Sequence, residues 1–215
     1  MSARRGRFVT FEGGEGAGKS TQIRLLAEWL GSRGIATRMT REPGGTPGAE
    51  RIRKLLVEGE AGDWTPMTEA LLNYAARREH VSRVIAPALA AGEWVLCDRF
   101  ADSTMAYQGF GHGLGRRPVE ALHRAAIGRL APDLTLVLDI PVHEGLARAA
   151  ARHGREDRYE NMAIAFHERV RRGFRAIARR EARRCAMLDA RLPAGEIQEE
   201  IRRIVARRLA RALSR

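Results

Sequence analysis

The stretch FVTFEGGEGAGKST, residues 8–21, places a glycine-rich turn between a strand-like apolar run and an amphipathic helix. Gly13, Gly18, Lys19 and Ser20 have the Walker A spacing, with four residues between the first glycine and Gly-Lys-Ser. Glycines let successive backbone N–H groups face phosphate oxygens, and the helix N-terminus adds partial positive charge. We therefore predict that this loop binds a nucleoside triphosphate. The predicted contacts are Gly13, Gly14, Glu15, Gly16, Ala17, Gly18, Lys19, Ser20 and Thr21.

Strand-like runs alternate with helical patterns along the rest of the chain. The runs cover residues 8–11, 36–40, 94–97, 134–138 and 186–188. The helical patterns include residues 50–57, 68–90 with a bend near Pro87, and 159–183. Such alternation predicts an α/β fold with a five-stranded, mainly parallel sheet and helices on both faces. The 215 residues fit a single domain, 1–215, with its ligands at the carboxyl ends of the strands.

The charge of the chain indicates an anionic ligand. The net charge is +12, and the 38 basic residues include only two lysines, Lys19 and Lys54. A nucleic-acid-binding ATPase is therefore one alternative, although the regular apolar stripe of residues 196–213 favours a solvated amphipathic helix.

No apolar run approaches the roughly 20 residues that span a bilayer, and no signal-peptide core follows the N-terminus. We expect a cytoplasmic protein without membrane or nucleic-acid partners.

Two further features narrow the class of nucleotide enzyme. GTPases recognise guanine through Asn-Lys-x-Asp, which is absent because lysine occurs only at 19 and 54. Translocating ATPases usually follow the strand-end aspartate with glutamate, whereas Asp98 is followed by Arg99. An arginine there suits a second phosphate group better than a water nucleophile. A phosphate acceptor is largely ionised at pH 7, so its kinase needs arginines and magnesium rather than a strong general base.

Five motifs, the phosphate loop among them, have the order and spacing of a known enzyme family. They are FEGGEGAGKST (11–21), TREPGGT (40–46), YAARREH (74–80), CDRF with STMAYQG (97–109) and PDLTLVLD (132–139). Together they resemble the bacterial thymidylate kinases. The resemblance implies a P-loop kinase three-layer sandwich with an arginine-rich lid at about 148–160, a homodimer through the long helices, and phosphorylation of dTMP to dTDP by Mg-ATP. A kinase of this fold for another pyrimidine nucleotide monophosphate is the alternative.

The resemblance also implies roles for the residues around the acceptor nucleotide. Arg99, with Arg41, would hold the 5′-phosphate, and Arg77 would bind the thymine edge. Tyr107 would pack near the sugar C2′, where it disfavours ribose, and Glu15 would meet the 3′-hydroxyl. The implied contacts are Glu15, Arg41, Arg53, Asn73, Arg77, Arg99, Thr104, Tyr107 and Gln108.

Magnesium ligands and the base-stacking residue follow from the same motifs. Ser20 supplies the Walker A hydroxyl, and Asp98 is the implied acidic partner of the ion. Family members commonly have phenylalanine at the position of Asn73, where the ring stacks on thymine. Either the neighbouring Tyr74 supplies a ring or stacking is weaker in this chain.

Catalytic charge is expected from the lid, because the phosphate loop between Gly13 and Lys19 contains no basic residue. Family members with such a loop take their catalytic arginine from the lid, and Arg155, Arg152 and Arg158 compete for the role here. An arginine closing over the transferring phosphoryl group can supply on the order of 10³-fold in rate. The implied catalytic residues are Lys19, Arg99, Arg155, Arg152 and Glu15.

Overall fold

The structure, a computed structural model, describes residues 5–60, 62–151 and 158–213. Its centre is a sheet of five parallel strands in the order β2-β3-β1-β4-β5. The strands are β1 (Phe8–Glu12), β2 (Thr37–Arg41), β3 (Trp94–Asp98), β4 (Leu134–Asp139) and β5 (Cys185–Asp189). The predicted five-stranded parallel sheet is therefore confirmed.

Helices cover both faces of this sheet. They are α1 (Lys19–Gly31), α2 (Pro47–Val57), α3 (Pro66–His80), α4 (Ala86–Ala90), α5 (Ala101–Thr104), α6 (Arg116–Ala126), α7 (Val142–Ala150), α8 (Ile164–Arg180), α9 (Ala194–Arg208) and α10 (Ala210–Leu213). A π-helical segment, Val81–Ile85, joins α3 to α4, and another, Met105–Gly111, extends α5. Within the described ranges, no helix is long and apolar enough to cross a membrane.

Side chains of β1 alternate between the two faces of the sheet. Val9 and Phe11 pack in a cluster with α1 and α9, whereas Phe8 packs with α3, α4 and α6. Thr10 is also fully buried, and its hydroxyl lies 2.8 Å from that of Thr135 on β4. A central parallel strand with both faces covered is typically rich in apolar residues, and β1 has apolar side chains on both of its faces. The loop that follows β1 consequently lies at the carboxyl edge of the sheet.

Two predicted helices have different limits in the structure. The helix expected over 68–90 begins at Pro66, because Thr65 caps its first turn by accepting a backbone N–H. Its irregularity precedes Pro87 and takes the form of the π-helical segment Val81–Ile85, since proline lacks the N–H that an α-helical turn needs. The helix expected over 159–183 begins only at Ile164, after a series of turns.

The phosphate loop packs backbone to backbone against the start of α7. Gly16 has φ +65°, and a Cβ added there would lie 2.0 Å from the Gly145 carbonyl oxygen. A Cβ on Gly145 would in turn lie 2.5 Å from the Glu15 carbonyl oxygen. Glycine is therefore required on both sides of this contact, which sets the path of the loop over the sheet edge.

We expect Gly16→Ala to displace the phosphate loop, because the new methyl group would collide with backbone that cannot rotate away. Thermal unfolding should show a loss of about 5 °C in Tm, together with weakened binding of ATP. Gly31→Ala is the matched control, since a Cβ at Gly31 meets nothing within 4 Å. A Gly16→Ala variant that binds ATP as the wild type does would contradict this account of the loop.

Candidate active site

The loop between β1 and α1 has the geometry of an anion site. Gly13, Gly16 and Gly18 adopt φ values of +134°, +65° and +84°, which turn the backbone toward one side. The first turn of α1 contains no acidic residue of its own, and its N-terminal N–H groups add partial positive charge to the loop. Lys19 Nζ donates to the carbonyl oxygens of Gly13 and Gly14 at 3.3 and 2.9 Å. Burial lowers the pKa of Lys19 below its ordinary value.

Ser20 and Asp98 meet at the rim where α1 begins and β3 ends. The Ser20 hydroxyl donates to Asp98 Oδ2 at 2.9 Å. The described residues contain no group of three or more His, Cys, Asp or Glu side chains that could enclose a metal. A metal at this rim would thus need ligands from a bound phosphate group as well.

The backbone at Arg99 is held in an unusual conformation directly after β3. Arg99 has φ +67°, in the left-handed region that costs energy for a residue with a side chain. Its N–H donates to the Phe11 carbonyl at 2.9 Å. The two carboxylate oxygens of buried Glu12 accept the Phe100 N–H at 2.8 Å and the Ser103 hydroxyl at 2.5 Å. Glu12 thereby fixes the turn that aims Arg99.

Sequence analysis missed Glu12 as a functional residue. The available signal was a carboxylate at the end of a strand whose other members are uncharged and buried. Such a group is rarely left in a core without a structural partner.

The Arg99 side chain joins the phosphate loop to the neighbouring cavity. Its Nη1 donates to the Gly13 carbonyl at 3.1 Å and to Ser103 Oγ at 3.2 Å. Its Nη2 lies 2.9 Å from Glu15 Oε1 and 3.0 Å from the Tyr107 hydroxyl oxygen. Tyr107 in turn donates its hydroxyl to the same Glu15 oxygen at 2.7 Å. The carboxylate in the middle of the phosphate loop therefore faces Arg99 and Tyr107.

Glu15 in the phosphate loop and Glu12 at the end of β1 have opposite electrostatic environments. Burial raises the pKa of Glu15, but the charges of Arg99 and Lys19 outweigh it and lower that pKa to about 2. For Glu12, burial and the charge of Asp102 raise the pKa to about 8. Glu15 is consequently a permanent negative charge in the site, whereas Glu12 is close to its own titration at neutral pH.

A cavity adjoins this cluster and holds about 630 Å³ of empty space, its open mouth included. Pockets of this size accept small organic ligands. Its walls include eight of the predicted acceptor contacts, namely Glu15, Arg53, Asn73, Arg77, Arg99, Thr104, Tyr107 and Gln108. Residues that sequence analysis did not select also line it, and they include Glu42, Ser103, Tyr159 and Glu160.

Arg77 is fully buried in the wall of the cavity and is held from two sides. Its Nε donates to Glu42 Oε2 at 2.6 Å, and its Nη2 donates to the Phe100 carbonyl and the Thr104 hydroxyl, both at 3.0 Å. The other Glu42 oxygen lies 3.0 Å from His80 Nδ1. Arg77 Nη1 is buried and has no hydrogen-bond partner in the described chain. An unsatisfied buried donor of this kind costs free energy unless a ligand accepts from it.

The predicted phosphate contact Arg41 lies outside the cavity lining. Its side chain is 52% exposed and pairs with Glu50 at 3.0 Å. Arg41 is the last residue of the edge strand β2, and its guanidinium pairs with Glu50 on α2. Arg53 does line the cavity, and its Nη1 donates to the Pro43 carbonyl at 2.9 Å.

Tyr74 does not supply a ring to the cavity. It packs in the core with α6, where its hydroxyl donates to the Val119 carbonyl at 3.3 Å. Asn73 lines the cavity while its Nδ2 donates to the Glu69 carbonyl one turn earlier. The aromatic side chains on the cavity wall include Tyr159, whose ring meets Tyr107 edge-on at 5.4 Å. Asn73 faces the cavity and Tyr74 faces the core because adjacent residues on α3 point in different directions.

The lid arginines divide into two groups. Arg152 and Arg155 lie outside the described residues. Arg158 is fully buried, lies 2.6 Å from Glu69, and donates to two backbone carbonyls. Arg158 is therefore committed to internal contacts, which removes it from the three candidates for the catalytic charge.

Comparison with known proteins finds relatives that match nearly the whole chain. The family model described as thymidylate kinase matches residues 11–201. The thymidylate kinase of Caulobacter vibrioides is 54% identical over 204 residues, covering 95% of this chain and 98% of that protein. The thymidylate kinase of Afipia carboxidovorans is 53% identical, covering 97% and 92%. The crystal structure of thymidylate kinase from Ehrlichia chaffeensis superposes with a TM-score of 0.75 at 33% identity, covering 94% and 98%.

The depressed pKa of Glu15 makes its contribution to stability dependent on pH. The contribution should be complete above pH about 4.5 and should disappear as the pH falls toward about 2, because protonation cancels the attraction to Arg99. Wild type and Glu15→Gln should differ in unfolding free energy by about 3 kcal/mol at neutral pH and progressively less below pH about 4.5. Urea denaturation of both proteins at several pH values measures the difference. A difference that stays constant down to pH about 3 would show that Glu15 is not a low-pKa group.

Proposed function

The chain belongs to the thymidylate kinase family, and from this premise we propose that its site transfers the γ-phosphoryl group of ATP to dTMP, giving dTDP. The observation that carries the proposal is the cluster of Glu15, Arg99 and Tyr107, which joins the phosphate loop to the cavity wall. A donor loop and an acceptor cavity that share one arginine hold two phosphate groups next to each other. Such positioning can supply much of the rate of a phosphoryl transfer.

The phosphate loop is the ATP site of this proposal. Its backbone N–H groups and the N-terminus of α1 bind the phosphates, and Lys19 supplies a compact charge to the β- and γ-oxygens. In the structure the Lys19 ammonium donates to loop carbonyls, and a phosphate oxygen can replace them as its acceptor.

Ser20 and Asp98 fit magnesium as a required cofactor. Both side chains offer hard oxygen ligands, and they already lie in contact at 2.9 Å. Magnesium is typically held by one or two carboxylates with phosphate oxygens and water completing the shell, which matches this donor set. When bound, the ion neutralises charge on the phosphate oxygens.

The cavity is the dTMP site of this proposal. Arg99 and Arg53 lie where they can hold the 5′-phosphate, and the unpaired Nη1 of Arg77 can donate to a carbonyl oxygen of the base. Glu15 can accept from the 3′-hydroxyl, beside Tyr107 at the sugar. An oxygen of the largely ionised 5′-phosphate attacks the γ-phosphorus while the bond to the bridging oxygen of ADP breaks, so no general base is needed.

Catalytic charge completes the proposal. A lid at about residues 148–160 brings Arg155 or Arg152 over the transferring phosphoryl group, where it offsets the developing charge. We further propose a single domain over 1–215, a cytoplasmic location, and a homodimer. Large apolar side chains exposed on α2 and α3 support the dimer, namely Leu55, Met67 and Leu71.

A coupled ADP-release assay over dTMP, dUMP, dCMP and UMP tests the function. We expect the highest kcat/KM with dTMP. The buried donor of Arg77 favours a base carbonyl over the amino group of dCMP, and the packed ring of Tyr107 disfavours the ribose of UMP. ATP alone, and ATP with DNA or RNA, are the controls and should release little ADP. A preference for another monophosphate, or turnover stimulated by nucleic acid alone, would reject the proposal.

Arg155→Ala tests the source of the catalytic charge. We expect kcat to fall by about 100-fold or more, with both KM values changed far less, because the arginine acts on the transition state. Arg175→Ala is the matched control, since Arg175 is an exposed arginine on α8. An unchanged kcat in Arg155→Ala would remove Arg155 from this role and leave Arg152.

A further inference from the structure

A buried ion pair lies behind one wall of the cavity. Arg158 Nη2 is 2.6 Å from Glu69 Oε1, and both side chains are 0% exposed. Arg158 Nη1 also donates to the Leu56 carbonyl at 3.0 Å, and its Nε donates to the Glu60 carbonyl at 2.8 Å. Arg158 thereby fastens the chain that contains Tyr159 to the end of α2 and to the start of α3.

The second oxygen of Glu69 contacts residues of the cavity wall. Glu69 Oε2 accepts the side-chain amide of Gln108 at 2.9 Å and lies 3.2 Å from His112 Nε2. The same Gln108 amide nitrogen lies 3.4 Å from the Tyr159 hydroxyl. Burial raises the pKa of Tyr159, and the neighbouring Glu69 carboxylate raises it further. Gln108 and Tyr159 both line the cavity, whereas Glu69, Arg158 and His112 do not.

We propose that the Glu69–Arg158 pair is a positioning unit that orients Gln108 and Tyr159 for recognition of the acceptor base, an inference that rests on the proposed function. A carboxylate can only accept hydrogen bonds, so Glu69 determines that the Gln108 side chain presents its NH2 end to the core. The carbonyl end is then turned away from Glu69, which suits an N–H donor on a pyrimidine imide. Arg158 stabilises the carboxylate that imposes this orientation.

The alternative is that the pair only stabilises the fold, and the two roles respond differently to substitution. Removing one partner of a buried pair leaves an uncompensated charge and destabilises the protein, whereas replacing both partners by apolar residues of similar volume is often neutral. Stability should therefore recover in part in a double variant, although the carbonyls of Leu56 and Glu60 lose their Arg158 donors. The orientation of Gln108 should not recover, because an apolar residue at position 69 accepts no hydrogen bond.

Glu69→Leu, Arg158→Met and the double variant are compared with wild type by thermal unfolding and by steady-state kinetics in both substrates. We expect Tm to fall in each single variant and to fall less in the double variant, which leaves no unpaired buried charge. The KM for dTMP should stay about tenfold higher in the double variant, as loss of one oriented hydrogen bond predicts, while the KM for ATP changes less than about twofold. The matched control is Glu28→Leu with Arg24→Met, an exposed pair on α1.

The results separate this inference from the proposed function. Wild-type turnover of dTMP tests the function by itself and does not depend on the variants. A double variant that is more stable than either single variant and keeps the wild-type KM for dTMP would reduce the pair to a stabilising contact and overturn the inference. Equal increases in the KM values for ATP and dTMP would overturn it as well. Where a single variant does not fold, the double variant alone still gives either result.

Discussion

The site depends on the guanidinium of Arg99, which has four acceptors in reach and a backbone held in the left-handed region. Its partners include a carbonyl of the phosphate loop, the loop carboxylate Glu15 and the ring hydroxyl of Tyr107. Because Glu12 and the Phe11 carbonyl hold the backbone of this turn, the strain at Arg99 is offset by buried hydrogen bonds. The phosphate loop and the cavity wall are consequently joined through one side chain.

Glu15 in the phosphate loop and Glu12 at the end of β1 have the same side chain but different pKa values, because their surroundings differ. Glu15 meets Arg99, Lys19 and the Tyr107 hydroxyl, which keep it ionised despite burial. Glu12 lies in the core near Asp102, and its pKa of about 8 reflects that burial. A fixed negative charge inside a polyanion site is tolerable because the adjacent arginine compensates it.

Buried ion pairs organise the far wall of the cavity. Glu42 holds Arg77, and Glu69 holds Arg158, with each carboxylate fully desolvated. Such pairs contribute little net stability relative to apolar packing, but they impose defined orientations on the side chains around them. In this chain the side chains around them include Thr104 and Gln108, which line the cavity.

The sequence by itself determined the phosphate loop and the parallel sheet, and its resemblance to the thymidylate kinases implied eight of the residues that line the cavity. The loop and the sheet are local features, since loop glycines and strand alternation follow from short-range spacing. Only the tertiary structure decided that Arg41 lies outside the cavity while Arg53 lines it, that Tyr159 rather than Tyr74 contributes a ring, and that Arg158 is buried. Contacts between distant segments depend on the rotation of helices and on the path of loops. One residue along a helix changes the direction of the side chain by about 100°. No spacing rule within a single segment contains that information.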